Sequence, residues 1–104
     1  MSVDWPVAVF DDDEHPYVLA APVDLRSWAE SERTADEFTA GFDQNGRPLL
    51  LVFADGEPSL VVVGEQDVEA FRSLAAAVLA RLGSTSSVDG LTVAELIGLL
   101  REVS

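Results

Sequence analysis

The run PLLLVFADGEPSLVVVG, Pro48 to Gly64, holds two apolar stretches on either side of a turn, and neither has a polar face. A strand with one wetted side alternates apolar and polar residues, so these two need cover on both faces or leave one face bare. A chain of 104 residues is expected to make a single domain, residues 1–104, burying roughly two-thirds of its unfolded surface. It has few elements with which to supply that cover.

The preceding segment EFTAGFD alternates Phe38, Ala40 and Phe42 with Glu37, Thr39, Gly41 and Asp43, the period of a half-buried strand. Asn45-Gly46 then reads as a two-residue type I′ hairpin, because both residues tolerate positive φ. That loop sets Phe42 opposite Leu49, Ala40 opposite Leu51 and Phe38 opposite Phe53. With Asp55 to Pro58 as a second, four-residue loop, Leu60 and Val62 join this face, which is predicted to lie under the long helix that follows. Leu50, Val52, Val61 and Val63 fall on the other face, beside Thr39, and form a candidate apolar interface.

Two short apolar runs, PVAVF from Pro6 and YVLAA from Tyr17, flank an acidic turn and read as a hairpin. PVDLRSWAESER predicts a short helix over about 24–33, with Asp24 as N-cap and Val23 stapled onto Trp28. After Gly64, Val68, Phe71, Ala75, Val78, Leu79 and Leu82 form the stripe of a helix of about 17 residues stopped by Gly83. GSTSSVDG, Gly83 to Gly90, is the connector to a last helix, whose start carries a capping box of Thr92 and Glu95. Leu96, Ile97, Leu99 and Leu100 make that helix apolar over more than one stripe, which suits a second layer against the long helix or a partner contact. The order ββ-α-βββ-α-α predicts an α+β fold with a mainly antiparallel sheet of 4–5 strands and helices packed on it.

Composition is that of a folded chain, 48% hydrophobic and 24% charged, yet 19 acids face only six basic residues, all arginine. The net charge of −13 repels phosphate backbones and disfavours nucleic acid, while it attracts basic protein surfaces. Solubility or adaptation to salt also accounts for such acidity. The N-terminal residues lack a basic, apolar signal pattern and no run approaches ~18 apolar residues, so a cytoplasmic protein without membrane contact is expected. Absence of cysteine removes disulfides, thiolate zinc sites and thiol nucleophiles.

The stretch DDDEH, Asp11 to His15, pairs clustered acids with the sole histidine. Consecutive carboxylates lack the spacing of a calcium loop, and the reading is a solvated acidic turn with no metal. A His15-centred triad has no Gly-x-Ser-x-Gly elbow to support it, and without lysine there is neither a Schiff-base residue nor a phosphate-loop lysine. No catalytic residues and no cofactor are expected. Trp5, near one end, reads as a clamp on the core ahead of a partner contact.

The shape of GFDQNGRPLLLVFADGEPSLVVV, a hairpin feeding a buried strand and then a helix, resembles the cores of some bacterial immunity proteins. That resemblance implies a non-enzymatic inhibitor that masks a basic partner. Its contacts are placed at Asp11, Asp12, Asp13, Glu14, Asp55 and Glu57, with the apolar set beside them. The alternative is a homodimeric small-molecule-binding or regulatory domain with an apolar pocket between sheet and helices.

Overall fold

The computed structural model describes residues 2–32, 38–84 and 87–103. Five strands, β1 (Val7–Phe10), β2 (Pro16–Leu19), β3 (Ala40–Phe42), β4 (Pro48–Ala54) and β5 (Glu57–Val62), pair antiparallel in the order β2-β1-β3-β4-β5. Among the described residues three helices complete the α+β fold: α1 (Pro22–Glu32), α2 (Val68–Arg81) and α3 (Val93–Val103). No helix among the described residues is long and apolar enough to cross a membrane.

The decisive departure from expectation is the turn between β3 and β4. Phe42 pairs with Pro48 and Gly41 with Leu49, one residue out of the predicted register. Asp43 N–H donates to Arg47 O and Gly46 N–H to Asp43 O, closing a three-residue loop in which only Gly46 has positive φ, at 77°. This is a type I turn with a glycine bulge. Its cause is the Asp43 carboxylate, which accepts from the N–H groups of Asn45 and Arg47 at 3.0 Å each. The type I′ turn occurs instead at Asp55-Gly56, with φ of 53° and 80°, where two residues rather than four join β4 to β5.

A slip of one residue sends every side chain of a strand to the opposite face. Leu49 and Leu60, with Leu51 and Val62 half-buried, therefore pack not under α2 but against Leu25 and Trp28 of α1, together with Val7, Val9 and Leu19. Phe38, which precedes the short β3, joins that core too. Of the predicted set only Phe42 and the half-buried Ala40 pack on the α2 side, the Phe42 ring stacked on Phe71 with centroids 4.9 Å apart, while Phe53 is 48% exposed.

Helices thus cover both faces, and β1 is buried on both. Ala8 and Phe10 point to α2 and α3, with Ala75, Val78, Leu79, Leu96, Ile97 and Leu100. Trp5 packs on the α1 side as a clamp. Gly46 is wedged at the starts of α2 and α3, where an added Cβ would meet Val93 and Val68 side chains at 3.2 and 3.3 Å.

The capping signal at α3 matches the structure, and the one at α1 differs. Thr92 and Glu95 exchange the two bonds of a capping box, at 3.0 and 3.2 Å. At α1, however, Pro22 takes the first helical position its fixed φ suits, so Asp24 lies in the first turn and its carboxylate accepts from Ala20 and Ala21 N–H. Val23 is consequently exposed and no staple forms. The predicted end of this helix at Arg33 and the start of the third strand at Glu37 lie outside the described residues.

Candidate functional site

β4 outruns β3. Leu49 is level with Gly41, so Leu51 to Ala54 continue past the first residue of β3 with only β5 beside them. At about 3.3 Å per residue this makes a two-stranded ribbon standing roughly 13 Å clear of the rest of the sheet. α1 covers one side of it, with Arg26 paired to Glu57 at 3.2 Å.

On the other face of the β4–β5 hairpin lie Leu50, Val52, Val61 and Val63, with Val52 on the ribbon and the other three nearer its base. Leu50 is 49% and Val63 55% exposed, Val52 and Val61 are half-buried, and none of the four joins either core. The reason is the course of α2. It leaves the foot of the hairpin, where Asp67 N–H donates to Gly46 O, and ends with Arg81 near Glu14 at 3.7 Å, beside the β1–β2 turn. α3 packs on α2, β2 and β1. Both helices gather over the far half of the sheet. Thr39, expected opposite Val52, instead donates its hydroxyl to Phe10 O and Asp11 O.

Antiparallel pairing sends β1 and β4 in the same direction, so the β1–β2 and β4–β5 turns occupy one end of the sheet. Asp12, Asp13, Glu14, Asp55 and Glu57 are exposed there. Asp11 is not: it is buried, and its carboxylate accepts from Asp13 N–H, His15 N–H and Tyr17 O–H at 2.9 to 3.1 Å. It builds the turn rather than offering a contact. Glu14 sits in left-handed backbone at φ 59°, and its ion pair with Arg81, like that of Glu57 with Arg26, is exposed and contributes little.

Carboxylate oxygens of Asp11, Asp12 and Asp13 come within 4.8 Å of one another, closer than consecutive positions suggest, because the turn folds them together. His15 lays its ring against Tyr17, with centroids 4.9 Å apart, and Tyr17 in turn packs on Trp28.

At the opposite end of the sheet, the sequence reading missed a buried ionic cluster. Asp43 has no exposed surface, and Arg47 donates to it from Nε at 2.8 Å and Nη2 at 2.6 Å. Arg47 also reaches Asp4 at 3.2 Å and Ser2 O at 2.8 Å. Burial pushes the Asp43 carboxyl upward, but the Arg47 side chain and the N–H groups of Arg47, Asp4 and Asn45 outweigh it and hold the group below its ordinary value. Bonding to Asp43 raises Arg47 in return. The signal available was an acid four residues before a base across a loop containing Gly. The cluster pins the amino-terminal segment to the β3–β4 turn.

The main sheet–helix seams are filled by side chains such as Phe71, Leu96 and Leu100. Two grooves remain open: one of about 530 Å³ on the outer side of α3, and one of about 330 Å³ between α1 and β5, bounded by Val3, Trp5, Leu25 and Leu60. Comparison with protein-family models, curated proteins and solved structures gives no match.

Proposed function

We propose that this chain is a non-enzymatic protein–protein interaction module that masks a basic partner with the free side of its β4–β5 hairpin, in the manner of inhibitors and toxin-neutralising immunity proteins. The observation that carries the reading is the set Leu50, Val52, Val61 and Val63, half-buried to exposed on one face of the β4–β5 hairpin, where none of them joins either core and no helix among the described residues packs over them. Left bare, such a set reaches a few hundred Å², a size that marks interaction sites on monomers. Exposed acids at one end of the same hairpin, Asp55 and Glu57, with Asp12 and Asp13 at the neighbouring turn, supply the charge that steers a basic surface onto it.

Apolar contact gives the complex its hold and the acids its approach rate. A second copy suits this surface less, because each carries a net charge of −13 and both would bring the same acidic end to the contact. The small-molecule alternative asks for a pocket between sheet and helices; the groove between α1 and β5 has that position, but no ionisable side chain among the described residues lines it to orient a ligand.

Affinity capture from the native source, followed by reconstitution of the binary complex, tests the reading. One basic protein should bind with an association rate that falls steeply from about 0.05 to 0.5 M salt. Recovery of a homodimer that tightens with salt would replace this proposal with self-association through the apolar face.

A further inference from the structure

We propose that the groove on the outer side of α3 docks a basic amphipathic helix of a partner protein, at a surface separate from the hairpin. The groove, about 530 Å³ and open to solvent, is lined by Ser87, Leu91, Glu95, Gly98, Leu99 and Glu102. Four of these, Glu95, Gly98, Leu99 and Glu102, follow the i, i+3, i+4, i+7 spacing that puts residues on one strip of a helix. Half-buried Leu91 and Leu99 are rooted in the core below and give the strip an apolar floor.

Gly98 lies in that floor without an internal reason. Among non-proline residues glycine is the least suited to a helix interior. Its backbone is not left-handed, and an added Cβ would meet no atom within 4 Å, so neither conformation nor packing within the chain calls for it. Its effect is outward: a depression between Leu91 and Leu99 into which an apolar side chain from outside fits.

Charge defines the occupant further. Glu95 and Glu102 stand on either side of Gly98, two helical turns apart, roughly 10 Å along the axis. A helix laid in the groove with an apolar anchor over Gly98 and Lys or Arg residues two turns apart meets both carboxylates. This chain has no such helix among the described residues. Arg26 and Arg101 are the single arginines of α1 and α3, and on α2 Arg72 bonds Leu91 O and Glu69 while Arg81 faces Glu14. The partner is therefore a different protein.

The test uses the full chain and a fluorescent alanine-based helical peptide carrying a central leucine with lysines three residues before and four after it. Saturable binding should weaken at least tenfold in Gly98→Leu, which fills the depression while favouring the helix, and in Glu102→Lys. Val61→Asp should leave it unchanged, which keeps this surface distinct from the hairpin. Equal binding by Gly98→Leu, equal binding of a peptide with glutamates for lysines, or equal loss in Val61→Asp overturns the proposal. So does displacement by spermidine at matched affinity, which assigns the carboxylates to a small polycation, or a dimer that Gly98→Leu dissolves.

Discussion

Asp43 decides more of this fold than any other single side chain. By accepting from Asn45 and Arg47 N–H it selects the three-residue loop, and by pairing with Arg47 it anchors Asp4 and the amino-terminal segment. Asp43→Asn keeps one acceptor for the backbone but loses the charge-assisted bonds, and should lower stability by about 2 kcal/mol at neutral pH. Because the folded carboxyl titrates below its ordinary value of 3.8, the native state binds this proton less readily than the unfolded chain. The contribution is complete above that value and is lost as pH falls through the depressed folded value. Urea unfolding of both proteins should show a gap at about pH 7 that narrows progressively as pH falls below 3.8. A gap that stays constant with pH would mean that Asp43 acts through shape alone.

The elements themselves were legible wherever their signals are local. The capping box of α3 and the stripe of α2 each depend on a few neighbouring residues, and each reads directly from spacing. Register was not legible in the same way. Asn45-Gly46 and Asp55-Gly56 are both I′ candidates, and choosing between them required knowing that Asp43 would turn its carboxylate into the first loop. The division of β4 and β5 into two faces survived, since the β4–β5 loop shortened by an even number of residues. Which helix met which face did not. Gly98 was equally opaque, because a glycine inside a helix pattern shows its purpose only when its surroundings are seen. If the fold makes no use of it, Gly98→Ala should raise stability by about 0.5–1 kcal/mol, read as an increase in Tm of several degrees. A loss of stability instead would reveal a structural role for the missing side chain.

Taken whole, the molecule is a sheet in which β1 is wrapped on both faces while the β4–β5 hairpin is wrapped on one. Among the described residues, three helices of 11, 14 and 11 residues share five strands: two go to the β2-β1-β3 half, and one is left for β4 and β5. The apolar stretch Pro48–Gly64 was written for cover on both sides and receives it on one. The binding reading turns on that difference, and Val61 is central to it, paired across β4–β5 with Leu50 on the free side. An aspartate there meets solvent in the isolated protein and apolar surface in a complex. Affinity of Val61→Asp for the captured partner, measured beside its unfolding curve, is the most direct check. The hairpin account predicts a folded protein with binding weakened by roughly 30-fold or more, the effect of an interface hot spot. A stably folded variant that binds within twofold of the original, in an unchanged association state, would contradict it.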